Sequence, residues 1–414
     1  MTLSGKHVLY VSYNGMLDPL GQSQVIPYLK GLSKLGLEFT LLSFERPHAF
    51  EPAGIEASTN LREELSGYGI EWHVLRYHQK PSLPATAYDV TKGIRYARRL
   101  MRKKQIQMVH ARAHIPAVIA LALKRRFGAK MIFDVRGLMA EEYIDAGHWK
   151  PGGVPARITK SSEARVLRAT DGLVTLTDAL WAEMRNWPPL QSRQVTHLTI
   201  PCCVDLEKFR FDENERATHR AELGIGDRFV LVYSGSVGGW YMTDEMAAFF
   251  ATLSQQRPGA FFLWLTHGPS AIVRSAMAKH GISEDAFEVR KVSSSQVPGF
   301  LSCADAGIAF YRPGVSRLGT SPVKVSEYLA CGLPVVMNTG IGDSDRIIEE
   351  NSLGVLVGSF DQSGYEKART TLDQMIANSA STNARISAAA EKLFDLNTVG
   401  VSRYARLYEA LLND

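Results

Sequence analysis

No run of about 18 apolar residues occurs in this 414-residue chain, so no segment reads as a membrane-spanning helix. Cysteine is scarce. Its four residues, Cys202, Cys203, Cys303 and Cys331, show no zinc-type spacing, and the neighbours Cys202 and Cys203 make a poor structural disulfide. Free, partly buried thiols are expected. The opening MTLSGKHVLYVS lacks the basic start, apolar stretch and small-residue cleavage site of a secretion signal, so a cytoplasmic protein is expected. No G-x-G-x-x-G follows the first apolar run, which argues against a nicotinamide-dependent dehydrogenase. Aromatics interleaved with basic residues, as nucleic-acid binding would use, are also missing, so no nucleic-acid partner is expected.

What is present is ordinary in bulk: 45% hydrophobic and 21% charged residues, as in folded globular proteins. The length suggests two or three domains. Charge is unevenly spread. Residues 1–200 carry 27 Lys+Arg against 17 Asp+Glu, whereas residues 201–414 carry 20 against 25. Much of the surplus lies in KGIRYARRLMRKK (92–104), where Lys92, Arg95, Arg99 and Arg102 share one face at helical spacing. That face suits either plain solvation or contact with an anionic membrane surface.

Both halves alternate short apolar runs with amphipathic stretches. Strands are expected at 7–12, 39–44, 71–76, 108–111, 131–135 and 172–177, then at 229–234, 261–266, 306–311, 334–338 and 354–358. They are rich in Val, Ile, Leu and Phe with little alternation, as in parallel strands buried on both faces. Strand–helix alternation implies parallel sheets with right-handed crossovers. The expected fold is α/β: two Rossmann-like doubly wound domains, 1–206 and 207–392, facing across a cleft, with a closing helix at 393–414 that packs back on the first. Ligands in such folds bind beyond the carboxyl ends of the strands.

The most informative stretch is GTSPVKVSEYLACGLPVVM (319–337). Ser321 and Pro322 read as an N-cap and first residue of a helix, and Gly332 as its left-handed stop. A strand, a loop with Gly314 and Gly319, and a helix start then follow in the order that suits a pyrophosphate. Lys324 adds positive charge in the first turn, and Glu327 is placed to accept hydrogen bonds from a ribose diol. Arg112 and Arg136 follow strands and offer further cations, or pair with Asp134, Glu141 or Glu142. His110 and His114 are four apart at a strand end with Arg112 between them, which disfavours a metal. Asp343 or Asp345 reads as a helix N-cap rather than the pair as metal ligands. No metal and no cofactor are expected.

SPVKVSEYLACGLPVV resembles the donor-binding signature of the family-4 retaining glycosyltransferases, which have the GT-B fold. In that family a Glu, seven residues and a second Glu frame the donor. Glu327 matches the second, while the first falls at Gly319. The chain is similar instead to a Ser-Pro-x-Lys branch found among bacterial cell-surface polysaccharide enzymes. DPLGQSQVIPYLKGLSKLG (18–36) resembles the family's N-terminal glycine loop, with Gly21 as its first glycine and Gln22 in place of its second. HLTIPCCVDLEKF (197–209), VLVYSGSVGGWY (230–241), QVPGFLSCADAGIAFY (296–311) and FDLNTVGVSRYARLYEALL (394–412) resemble further family segments. Many members carry an Arg and a Lys for the donor phosphates after the 229–234 strand. Here neither is present, and Ser236 stands near the Arg position.

The resemblance implies metal-free, retaining transfer of a hexose, glucose being the plainest, from a UDP- or GDP-sugar to a saccharide or lipid-linked saccharide. Such a protein would be cytoplasmic or peripheral at the inner membrane face. It implies Lys324, Arg136 and His114 as catalytic or acceptor-side residues. Donor contacts are expected from Gly21, Gly235, Ser236, Ser321, Pro322, Val323 and Glu327. A non-catalytic nucleotide-sugar binder and a sugar-nucleotide 2-epimerase are the rival readings. An epimerase would need carboxylates and a His arranged for acid–base work, and the sequence shows no such cluster.

Overall fold

The computed structural model describes residues 3–191, 193–377 and 379–413. The chain divides into two compact units, Met1–Pro201 with Leu396–Asp414, and Cys202–Asp395. It leaves the first unit after Pro201 and returns to it at Leu396, where the sequence suggested divisions at 206/207 and 392/393.

The first unit holds a seven-stranded sheet: β1 (His7–Ser12), β2 (Glu38–Glu45), β3 (Ile70–Arg76), β4 (Met108–Arg112), β5 (Lys130–Val135), β6 (Gly172–Thr175) and β7 (Thr196–Thr199). Its order is β3-β2-β1-β4-β5-β6-β7, and every pairing is parallel. The second unit holds β8 (Val230–Ser234), β9 (Phe261–Leu265), β10 (Phe287–Arg290), β11 (Ala306–Ala309), β12 (Val335–Asn338) and β13 (Gly354–Val357). They run in the order β10-β9-β8-β11-β12-β13, again all parallel. β9, for one, is buried along its whole length, which explains its unbroken apolar run.

Two strands escaped the sequence pattern, and each lies at a sheet edge. β7 (THLT) and β10 (FEVR) are four residues long and mostly half-buried. An edge strand covers less of the core, so it does not need the continuous apolar run by which the others were recognised.

Each sheet reverses its strand order once, between β1 and β4 and between β8 and β11. In open parallel sheets the crevice beyond the carboxyl ends at such a reversal is the usual ligand site. The loops after β8 and β11 are therefore the first place to look in the second unit.

The closing helix Ser402–Leu412 belongs to the first unit and buries Tyr404, Leu407, Tyr408 and Leu411. The turn that enters it lies against Gly31 of the helix Ile26–Lys34, where an added Cβ would stand 2.5 Å from Val401 Cγ2. All four cysteines are buried free thiols. Among the described residues no helix is long and apolar enough to cross a membrane. The basic stretch falls in the helix Ser82–Lys103, which buries Ala97, Leu100 and Met101 and exposes Arg95, Arg99 and Arg102.

Candidate functional site

The site in the second unit is built around one buried ammonium. Lys324 lies in the first turn of the helix Val323–Ala330 and is only 8% exposed. Its Nζ donates to Tyr233 Oη at 2.9 Å, and Tyr233 Oη in turn donates to the Ser236 carbonyl. The same Nζ lies 4.1 Å from the Tyr233 ring centroid, 4.0 Å from that of Tyr241 and 5.7 Å from that of Tyr311. Electron-rich ring faces attract a cation. Burial still outweighs them and pulls the ammonium down to about 7, with Glu327 working the other way. Among the described residues no carboxylate forms an ion pair with Lys324.

Local sequence explains this placement. Tyr233 ends β8 with Ser234, and Tyr311 follows β11, so the two flank the reversal of strand order. Tyr241 and Tyr311 form a short antiparallel bridge that holds the loop 235–241 against the end of β11. Asn338, closing β12, accepts from the Tyr311 N–H at 2.7 Å and donates back to its carbonyl at 3.1 Å. Gly235 has φ +137°, and a Cβ there would come 2.6 Å from Lys324 Nζ. Gly307 in β11 leaves room for the Tyr328 ring, whose hydroxyl accepts the Ser234 N–H at 2.7 Å. The helix that carries Lys324 is thereby tied to the end of β8.

One detail of the helix start differs from expectation. Ser321 is not the N-cap. The helix begins at Val323, Pro322 stands in the capping position, and Ser321 Oγ accepts the Cys202 N–H at 3.1 Å. A proline followed by extended backbone (ψ 117°) delays the helix by one residue. Glu327 follows one turn after Lys324 and is half-buried. Burial pushes its carboxyl up to about 7, against the pull of Lys324 and Lys208. Gly332 does end the helix in the left-handed region, at φ +75°. Asp345 is no cap either. Both its oxygens accept the Gly340 N–H, at 3.1 and 2.9 Å, which fixes the loop 339–342, while Asp343 occupies the capping position without a side-chain cap bond.

Gly21, Arg136 and His114 lie in the first unit. Gly21 is buried inside the short helix Pro19–Gln24, and a Cβ there would come 2.2 Å from the Gly15 carbonyl oxygen. The preceding loop is pinned by buried Glu45, which accepts the Met16 N–H at 2.7 Å. Arg136 Nη1 stands 3.6 Å from Asp134 Oδ1. His114 opens the helix His114–Phe127, bonds Ser162 Oγ through Nε2 at 2.6 Å, and is lowered to about 4 by burial. It is a neutral imidazole at pH 7, fit for hydrogen bonding rather than for delivering a proton. His110 and His114 do not share a ligand: His110 meets Tyr408 Oη at 2.5 Å and Asp134 instead. No group of three or more possible metal ligands occurs among the described residues.

Sequence reading missed the tyrosine cage and gave Tyr233, Tyr241, Tyr311 and Tyr328 no role. The available signal was their position at or just past the ends of β8 and β11, where cleft residues belong.

Comparison with known proteins adds the following. Residues 25–203 match the glycosyl transferase 4-like domain, and residues 319–389 match the glucosyltransferase 3-like C-terminal domain. The chain is 26% identical over 184 residues to the putative teichuronic acid biosynthesis glycosyltransferase TuaH of Bacillus subtilis. That match takes in 44% of this chain and 43% of the relative. Among solved structures, sucrose-phosphate synthase of Thermosynechococcus elongatus has a TM-score of 0.74 at 14% identity, covering 99% of each chain. HepE of Anabaena in complex with UDP has a TM-score of 0.72 at 13% identity, covering 98% of this chain and 100% of that one. Likeness at this identity bears on the fold alone.

Proposed function

We propose that this chain, which has the GT-B fold, is a family-4 glycosyltransferase that transfers a hexose from a UDP- or GDP-sugar to a saccharide or lipid-linked saccharide in polysaccharide assembly, with retention and without a metal. The observation that carries this reading is Lys324: a buried ammonium at the reversal of strand order, with one hydroxyl neighbour and no paired carboxylate among the described residues. An ammonium has three donors, and leaving two unspent in a buried site is costly unless an anion takes them.

The chemistry follows from where charge grows. As the anomeric bond breaks, the sugar becomes oxocarbenium-like and negative charge builds on the leaving diphosphate. Lys324 and the backbone N–H groups of Ser321, Val323 and Lys324 stabilise that charge. The departing phosphate then accepts the proton of the acceptor hydroxyl. Glu327 accepts hydrogen bonds from the ribose diol. Gly235, Ser236, Pro322 and Val323 line the donor position, since the missing side chain at Gly235 leaves Lys324 uncovered. Ser321 and Gly21 add donor contacts, and Arg136 and His114 serve the acceptor side, His114 as a neutral hydrogen-bonding group. Glucose is the plainest hexose.

The test is titration of the purified protein, in EDTA, with UDP, GDP, UDP-glucose, GDP-glucose and GDP-mannose, while slow donor hydrolysis is followed. Saturable binding of one base class with metal-free hydrolysis is expected. Absence of binding to all five would remove the proposal. Glu327→Ala should weaken nucleotide binding by about 1.5–3 kcal/mol, through loss of a charged acceptor. Unchanged nucleotide affinity would remove its ribose role.

We further propose that the basic face of Ser82–Lys103 rests on an anionic membrane surface. Arg95, Arg99 and Arg102 are exposed, and Leu83 and Tyr88 on the same helix are 54% and 55% exposed. The triple charge reversal to Glu should abolish sedimentation with phosphatidylglycerol vesicles and leave donor hydrolysis in solution unchanged. Undiminished sedimentation would rule the surface out.

A further inference from the structure

The first unit has a small cavity of its own, about 190 Å³ in volume. It lies between the helices Met139–Asp145 and Val154–Ala169 and the segment 187–189. Its polar lining is Glu141, Lys160 and Glu163, and its apolar lining includes Leu167, Trp187 and Pro189.

Two carboxyls share this cavity with one ammonium. Glu141 Oε1 pairs with Lys160 Nζ at 2.6 Å, while Glu141 Oε2 is buried with no hydrogen-bond partner. Glu163 is 6% exposed, and among the described residues it forms no hydrogen bond or ion pair. Buried carboxyls normally have donors, and leaving their oxygens unsatisfied is costly. Burial, then the charge of Glu141, pushes Glu163 up to about 7, against a weaker pull from Lys160. His114, from the helix packed against Val154–Ala169, bonds Ser162 and is neutral at pH 7. Arg193 donates to the carbonyls of Leu167, Arg168 and Thr170. The cavity thus lacks positive charge and hydrogen-bond donors, and has acceptors to offer.

No group of three or more possible metal ligands occurs among the described residues, so the carboxyls do not make a metal site. The apolar lining favours instead a cation that carries a hydrophobic body. Trp187 offers such a cation an aromatic surface. Its Nε1 donates to Glu183 Oε1 at 3.2 Å, which orients the ring.

We infer that this cavity is a binding site for a small organic ammonium, whose N–H groups Glu163 and Glu141 Oε2 accept while its apolar body lies against Trp187 and Leu167. It belongs to the first unit, whereas Lys324 belongs to the second, and it stands independently of the nucleotide-sugar reading.

The test titrates the intact chain, by ligand-observed NMR, with benzylamine as the probe and benzyl alcohol as its uncharged counterpart. Wild type should bind benzylamine saturably and roughly 10-fold or more tighter than the alcohol. Its affinity should rise with pH through about 7, because the amine stays charged there while Glu163 loses its proton. Glu163→Gln should lose roughly 10- to 100-fold in benzylamine affinity on the alkaline side of that range, and the pH dependence with it. Lys160→Gln, at an exposed position, should bind benzylamine more tightly, since it releases Glu141. Thermal melting reports whether each variant is folded, and the lysine variant decides the matter if the glutamate variant is not. Absence of saturable benzylamine binding, equal affinity for amine and alcohol, or wild-type affinity in either folded variant would overturn the assignment.

Discussion

Lys324→Ala should lower turnover by roughly 100- to 1,000-fold, the usual cost of removing one group that meets growing transition-state charge. Ground-state donor affinity should change much less, because most of that charge appears only as the anomeric bond breaks. A loss confined to affinity, with turnover intact, would contradict the role. The effect also has a pH signature. In the free protein, burial leaves the ammonium titrating near 7. Only the protonated form attracts a diphosphate, so kcat/KM should fall as pH rises through about 7, with donor affinity falling by less. A bound anion raises the lysine again, so binding above that pH should draw a proton from buffer. Calorimetry in buffers of different ionisation enthalpy measures this uptake, and Lys324→Ala should abolish it. Glu327, pushed up to about 7, gains its charge over the same range and opposes the trend below neutrality. Its removal should sharpen the decline.

Asp134→Ala should be the most damaging single change to stability. The carboxylate ends β5 at 1% exposure. It accepts from Tyr404 Oη at 2.9 Å, stands 3.5 Å from His110 Nε2, and faces Arg136 at 3.6 Å. Burial alone would raise its pKa, but Arg136, the His110 hydrogen bond and Arg112 more than reverse this and hold it well below the usual carboxylate range. Removing it leaves a buried guanidinium and a phenol short of their partner, a loss of about 3–5 kcal/mol. In a unit of this size that lowers the melting temperature by on the order of 10 °C. Because the folded-state pKa is depressed, the contribution is complete above the unfolded value near 3.9 and fades as pH falls below it. Wild type should thus lose ground to Asp134→Ala below about pH 4. Calorimetric melts across pH check this, and a variant that melts with wild type at pH 7 would refute it.

The architecture was legible because buried parallel strands favour apolar runs, and the central strands are mostly apolar. β7 and β10 were not legible because an edge does not demand such a run. The helix carrying Lys324 and Glu327 was visible through Pro322 and Gly332, yet its start was set one residue early. A Ser-Pro pair marks a cap only by preference, and here Ser321 is engaged by a backbone N–H 119 residues away. The tyrosine cage was hidden for a related reason. Its members come from β8, the following loop, the end of β11 and the helix, so only the folded sheet brings them together.

The return of the chain at Leu396 has a consequence for biosynthesis. Tyr404 and Tyr408, which satisfy Asp134 and His110, leave the ribosome after the whole of Cys202–Asp395. Units usually fold in the order of their synthesis. Here the first to emerge must wait, with a carboxylate and an imidazole uncovered, until the second has been made. A released fragment ending at residue 395 should therefore hold a protease-resistant second unit and a susceptible first one, the reverse of the order in which they were translated.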